Sequence, residues 1–353
     1  MIFPNMTDNI PVNDLNGFLP PVRIKVKAIA VFIEKKPFFG ATLVNIPFLH
    51  ALRGLYPGTK IVVLSTEPAA ELLAKAGVAD EFILYKWDFF GIRHTLRDIS
   101  PELVFVLRPA SRGLDLAVAS CHIPESASFY SWLGRLLYSR IVPHNNAIYR
   151  ARKFMTLVME PAAARTAPLD GWFRGAAARA GLSTSSWGRT LAVLPGGGDG
   201  AYKLWGEENY LKLCADLARR DPELSFTWIL GPQEAGLGKK IAASGLASRS
   251  RILSNASLPD LAAAAFASAG AVGNDCGPAH LFQMCGCPFI CVMSDDTGVM
   301  PQDIGRGALC AAEWVDAPNR AFIAFSRPGE HISTVKVGTV LDLVLKRLPP
   351  VKS

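Results

Sequence analysis

Hydrophobic positions along the chain fall into short continuous runs separated by amphipathic stretches. IKVKAIAVFI, residues 24–33, alternates and then becomes continuously apolar, as a strand buried on both faces does. TLVNIPFLHALRGLYPG follows with a helical pattern that Pro57 and Gly58 end, and KIVVLST reads as the next strand. The alternation continues with EPAAELLAKAG as helix, DEFILY as strand, a helix around 90–99, and ELVFVLRP as strand. Strands and helices in strict alternation predict a parallel sheet covered by helices on both faces.

Between about 160 and 190 the pattern breaks. PAAARTAPLDGWFRGAAARAGLSTSSWGR is rich in Ala, Gly, Pro and Ser and holds no long apolar strand, so it reads as a connection. A second series then begins: RTLAVLPGGG, a helix in EENYLKLCADLARRD, the strand LSFTWILG, a helix near 235–245, RILSN, the helix SLPDLAAAAFASAG, the strand AVGN, a short helix, and PFICVMS. The predicted class is α/β, with two doubly wound parallel-sheet domains at 23–165 and 190–335. A connection at 166–189, an N-terminal extension at 1–22, and a C-terminal helix and tail at 336–353 complete the division.

Composition narrows the function classes. The apolar run LAAAAFASAGAVG at 261–273 is shorter than the roughly 20 residues that span a bilayer. The first 22 residues hold neither Lys nor Arg, and no apolar core ends in a small-residue cleavage site, so a cytoplasmic protein is expected. Seven cysteines, an odd number in a chain of this size, fit reduced thiols. The net charge of +7 is spread over both halves. It concentrates only at 126–159, where no acid occurs and Arg135, Arg140, Arg150, Arg152 and Lys153 are interleaved with Phe129, Tyr130, Trp132, Tyr138, Tyr149 and Phe154. That segment reads either as a solvated amphipathic helical face or as a surface for a phosphate-bearing or membrane-bound substrate. It carries no recognised nucleic-acid motif.

In open α/β sheets ligands bind beyond the carboxyl ends of strands, and three such loops in the second half carry unusual residues. In LPGGGDGAYKLWGEENY, Gly196, Gly197 and Gly198 allow close backbone approach and Lys203 supplies a positive charge, which suits a diphosphate; a flexible glycine turn is the alternative. ILGPQEAGLGKK matches neither a Walker loop nor a dinucleotide fingerprint. It leaves Glu234 placed to accept from ribose hydroxyls, or simply to complement a helix dipole. In GNDCGPAHLFQMCGCP, Asp275 is expected to cap a helix with Pro278 in its first turn and Gly286 at its end, its N–H groups at Cys276, Gly277 and Ala279 facing an anion. Cys285, Cys287 and Cys291 fall on a helix end, a turn and a strand. They read as small buried apolar residues, and His280 lies too near the helix start to complete a metal set.

In order and spacing these loops resemble the ADP-heptose:lipopolysaccharide heptosyltransferases, glycosyltransferase family 9. The likeness spans roughly residues 24–300 and is most specific in LPGGGDGAYKLWGEENY, ILGPQE and SNASLPDLAAAAFASAGAVGNDCGPAHLFQMCGCP. It implies a GT-B arrangement, two Rossmann-like domains facing across a cleft, with acceptor on the first and nucleotide-sugar donor on the second. By position it implies donor binding by Gly196, Gly197, Lys203, Glu234, Asp275, Cys276, Gly277, Pro278 and His280. Lys203 would meet the phosphates, Glu234 the ribose and Asp275 the sugar hydroxyls. Gly206 replaces the family's proline after K-x-W, and Cys276 its Ser or Thr. The family's G-D-x-x-x-x-x-P turn reads GATLVNIP here, with Gly40 and Pro47 in register and Ala41 in place of the base. Glu34, ahead of KKPFFG, is the substitute base nearest in sequence, or else a solvated charge paired with Lys35 or Lys36. The implied activity is inverting transfer of a sugar, heptose by family, from an ADP-linked donor, without metal or cofactor. The acceptor would be a lipopolysaccharide-core or other lipid-linked cell-envelope saccharide at the cytoplasmic face of the inner membrane, with Arg135, Arg140 and Arg150 as contacts. The alternatives are a non-catalytic nucleotide-sugar-binding paralogue, which Ala41 favours, and a nucleotide-sugar epimerase of the same architecture.

Overall fold

The computed structural model describes residues 26–108, 111–129, 131–145, 147–185, 187–198, 200–295, 307–316, 321–327 and 329–347. They divide into two compact units: the described residues up to Asn145 with Arg150–Ala167, and Ala147–Tyr149 with the described residues from Pro168 on.

The first unit is built on β1 (Ala28–Phe32), β2 (Lys60–Ser65), β3 (Glu81–Leu84), β4 (Leu103–Val106), β5 (Glu125–Phe129) and β6 (Arg140–Val142), in the order β3-β2-β1-β4-β5-β6. All pairings are parallel, with Ile29 opposite both Ile61 and Leu103. Every residue of β1 is buried, as a central strand covered on both faces requires. One face carries Phe32, Val62, Leu64, Val104 and Val106 beneath Ile92, Leu96, Leu114 and Val118 of helices Phe89–Ile99 and Arg112–Ala119. On the opposite face Phe48, from helix Ile46–Leu55, meets Phe105 edge-on at 5.2 Å.

The second unit repeats the plan. Its strands are β7 (Thr190–Leu194), β8 (Ser225–Leu230), β9 (Ser250–Ser254), β10 (Gly270–Asn274), β11 (Phe289–Met293) and β12 (Ala321–Phe325), in the order β12-β11-β10-β7-β8-β9. Read from the other side, this is the order of the first sheet. Both are doubly wound sheets, as the alternation predicts. Each therefore has a switch point where successive connections leave in opposite directions: between β1 and β4 in the first, between β7 and β10 in the second. Leu191, Val193, Phe226, Trp228, Val272 and Ile290 pack with Tyr210, Leu213, Val340 and Val344 into one core.

Two stretches differ from the pattern reading. Within 166–189, helix Gly171–Ala177 buries Trp172, Phe173 and Ala176 and packs on helix Leu258–Ala267, so this stretch belongs to the second unit. The basic segment at 126–159 is not a solvated helical face. It contains β5 and β6, joined by Ser126 and Ser139, where the Ser139 hydroxyl donates to the Ser126 carbonyl at 2.8 Å and accepts from its amide at 2.7 Å. Its helix Arg150–Met155 is buried throughout, with Arg152 donating to the carbonyls of Ala164 and Ala167 at 3.2 and 2.8 Å. Arg152 serves packing and helix capping, because its stem buries apolar surface while its head satisfies carbonyls. The extension at 1–22 lies outside the described residues. No helix among them is long and apolar enough to cross a membrane.

Candidate functional site

The switch point of the second sheet is organised by one side chain. Asn274, the last residue of β10, is fully buried. Its Nδ2 donates to the Pro195 carbonyl at 2.6 Å, and its Oδ1 accepts from the Tyr210 hydroxyl at 2.8 Å and the Trp205 amide at 3.4 Å. The glycine loop after β7, the turn bearing Lys203 and the end of β10 are thereby tied together. Trp205 is itself fully buried, donating from Nε1 to the Val335 carbonyl at 2.7 Å and meeting Tyr210 edge-on at 4.9 Å. Loss of any of these buried bonds would leave an unsatisfied polar group.

On this frame Lys203 ends a 3-10 turn, Ala201–Lys203, and reaches Asp275 Oδ2 at 2.8 Å. Asp275 Oδ1 faces His280 Nε2 at 3.6 Å. Asp275 is therefore not the helix cap. Cys276, with extended backbone at φ −144° and ψ 169°, holds the N-cap position of helix Gly277–Met284, and Pro278 stands in its first turn. The carboxylate is drawn sideways by Lys203 instead. Gly286, at φ +75°, ends that helix region in the left-handed conformation expected of it. Glu234 joins the group from β8. Its Oε2 accepts from the Gly231 amide at 2.9 Å, and a Cβ at Gly196 would stand 3.2 Å from its Oε1. The acid closes its own turn and lies against the glycine loop. A side chain at 196 would press on this carboxylate.

Gly206 has φ +106°, a conformation closed to proline. This replacement therefore reflects a different local backbone, although Trp205 before it stays buried. Cys285, Cys287 and Cys291 are buried, and no group of three metal-ligating side chains converges among the described residues. Burial pushes the thiols of Cys285 and Cys291 well above their ordinary range. It raises that of Cys276 to about 12, against the pull of the Ala279 amide. None is a thiolate near neutral pH.

In the first unit, Glu34 follows β1 and its Oε2 pairs with Arg150, with Lys36 at 3.8 Å. The side chains of Glu34 and Arg150 are only 11% and 5% exposed, so Arg150 is a buried partner of Glu34, not a surface contact. Ala41 lies in helix Phe39–Leu43, its carbonyl accepting from Asn45 Nδ2 at 2.8 Å. Arg140 opens β6, at the sheet edge opposite the strand carboxyl ends. It lines a cavity of about 40 Å³ with Tyr56, Glu125 and Ser139, and burial lowers its pKa. Arg135 alone of the three arginines is exposed beyond a strand carboxyl end. The structure does not bring Arg135, Arg140 and Arg150 together.

Three residues at these switch points escaped the sequence reading. Asn274 closed an apolar run and looked like its last polar residue. Tyr149 was counted with the basic segment, yet it belongs to the second unit and stacks on His280. Arg108 was absorbed into the strand ELVFVLRP. It lies just past β4 with its guanidinium 3.7 Å from the Trp87 ring centroid, beside Tyr85, whose hydroxyl burial raises to about 12 against the pull of Arg108.

Two six-stranded doubly wound sheets, the second with Lys203, Glu234, Asp275 and a glycine loop at its switch point, define a protein of the GT-B class. E. coli heptosyltransferase WaaC with ADP matches at a TM-score of 0.62 and 16% identity, covering 90% of this chain and 97% of that one. Residues 159–297 match the model of glycosyltransferase family 9 (heptosyltransferase), the family its motifs resemble. E. coli ADP-heptose lps heptosyltransferase II matches at 0.58 and 17%, covering 91% and 98%. UDP-GlcNAc 2-epimerase from Methanocaldococcus jannaschii matches more weakly, at 0.52 and 10%, covering 92% and 94%. No curated protein sequence matches the chain.

Proposed function

We propose that the protein is an inverting glycosyltransferase of heptosyltransferase type, moving a sugar from an ADP-linked donor to a lipopolysaccharide-core or related cell-envelope saccharide. The observation that carries this is the cluster of Lys203, Asp275 and Glu234 around the glycine loop at the second switch point, within the family-matched residues. Lys203 and the amides at Cys276 and Gly277 receive the diphosphate, Glu234 the ribose, and Asp275 the sugar hydroxyls. Gly196, Gly197 and Pro278 shape the loops around them.

In the transfer, an acceptor oxygen forms a bond to the anomeric carbon as the bond from that carbon to the diphosphate oxygen breaks. The nucleotide diphosphate leaves with the electron pair, and its growing charge is what Lys203 stabilises. The acceptor proton needs a base, and Ala41 cannot supply one. We assign the role to Glu34, at the switch point of the first unit, whose Oε2 is engaged by Arg150. The acceptor is drawn from the cytoplasmic face of the inner membrane, with Arg135 as the cation open to meet it.

Ala41 also favours a second reading, a paralogue that binds nucleotide sugar without turnover. A product assay with ADP-heptose and cell-envelope saccharides separates the two. Transfer that falls about 10²- to 10⁴-fold in Glu34→Gln, with ADP affinity unchanged, supports Glu34 as the base. Donor binding without transfer to any acceptor supports the non-catalytic paralogue. Interconversion of the donor sugar without acceptor would instead mark an epimerase.

A further inference from the structure

Asp275 has two partners, and the proposed donor competes for one of them. Lys203 holds Oδ2 at 2.8 Å, and His280 Nε2 stands 3.6 Å from Oδ1. When a diphosphate takes Lys203, His280 is the partner that remains to hold the carboxylate in place. The orientation of the His280 ring then decides where Asp275 points.

That ring is set from outside the donor loops. Tyr149 lies in the short stretch between β6 and helix Arg150–Met155, 131 residues away in sequence. Its hydroxyl is 3.2 Å from His280 Nδ1 and 3.5 Å from the His280 carbonyl, and the two rings stack with centroids 5.9 Å apart at an interplanar angle of 25°. Tyr149 is 2% exposed and His280 4% exposed. The imidazole also meets Trp314, with ring centroids 6.0 Å apart. The two aromatic neighbours hold the ring plane, and the Tyr149 hydroxyl is within hydrogen-bond reach of Nδ1. With that hydroxyl donating to Nδ1, the ring proton sits on Nε2 and faces the Asp275 carboxylate.

We infer that Tyr149 is a positioning residue of the donor site, holding His280 in the Nε2–H tautomer so that Asp275 stays aimed at the sugar once Lys203 has turned to the diphosphate. This rests on the reading of the second switch point as a nucleotide-sugar site. It assigns to Tyr149 the discrimination between a nucleotide sugar and its nucleotide, because only the sugar contacts Asp275. Binding of the nucleotide portion, through Lys203 and Glu234, does not pass through Tyr149.

The test compares ADP and ADP-heptose on the full chain by calorimetry, in the wild type and in Tyr149→Phe, which keeps the ring stack and removes only the hydroxyl. Wild type is expected to bind ADP-heptose more tightly than ADP. Tyr149→Phe should weaken ADP-heptose by about three- to tenfold, the worth of one hydrogen bond, with ADP unchanged. Nitrogen-15 spectra of the histidine side chains should show His280 protonated at Nε2 in wild type and mixed between tautomers in the variant. Equal weakening of both ligands would make Tyr149 a merely structural residue and overturn the inference. So would an unchanged ADP-heptose affinity, or a wild-type His280 protonated at Nδ1 alone. If wild type binds neither ligand, the donor-site reading fails first and the inference falls with it.

Discussion

Asp115 shows how a single residue of this fold responds to its surroundings. It is 2% exposed and accepts from the Tyr138 hydroxyl at 2.8 Å. Burial raises its carboxyl pKa above the ordinary value, and the Tyr138 bond only partly offsets this. The folded state therefore holds that proton more tightly than the unfolded chain. Its stabilisation is complete below the unfolded value of about 4 and is lost as pH rises through the folded value. Asp115→Asn cannot ionise, so its melting temperature relative to wild type should rise from pH 4 to pH 7. An offset that stays constant with pH would show that the carboxyl does not titrate abnormally. At this scale the sequence was informative about which residues stand beyond a strand's carboxyl end, as for Lys203 and Glu234. It was silent where a role depends on partners far along the chain. Asn274 and Tyr149 have no local signature, since each acts through contacts that only the folded sheet creates.

Elements were legible wherever their pattern was long. β1, β7, β10 and β11 are continuous apolar runs because both faces of a parallel sheet are covered, and each was readable as such. β5 and β6 were not. ESASF and RIV are short, and ESASF is interrupted by Ser126 and Ser128; the strands pair in parallel, with the Ser126–Ser139 bonds at their start. Buried cations misled in the same region, since a run of Arg and Lys in sequence looks solvated whether or not its heads find carbonyls. Helix Glu207–Arg220 gives a prediction at this scale. Its N-cap, Gly206, has φ +106°, whereas proline is locked near −65°. Gly206→Pro, which would restore the family's residue, should cost more than about 1 kcal/mol in denaturant unfolding. It should also weaken ADP binding by shifting the adjoining turn that carries Lys203. A neutral or stabilising effect would mean that the turn accepts the family's backbone after all.

At the scale of the molecule, one topology is used twice. Each sheet has the same strand order, so each creates a crevice at its switch point, and the chain has filled the two differently. The second carries a lysine, two acids and a glycine loop suited to a nucleotide diphosphate. The first carries Glu34 paired with Arg150, and Arg108 laid on Trp87. The double Rossmann plan and the donor motifs could be read from sequence because alternation and glycine spacing are local. The state of the first crevice could not, because the Glu34–Arg150 pair joins residues 116 positions apart. The central claim is that the second switch point is a nucleotide-diphosphate site built around Lys203. Calorimetric titration of ADP into wild type and Lys203→Ala tests it most directly. The account predicts saturable, one-to-one binding that falls by about tenfold or more in the variant, as expected for loss of a charge-assisted contact. Absence of ADP binding in the wild type, or equal affinity in the two proteins, would contradict it.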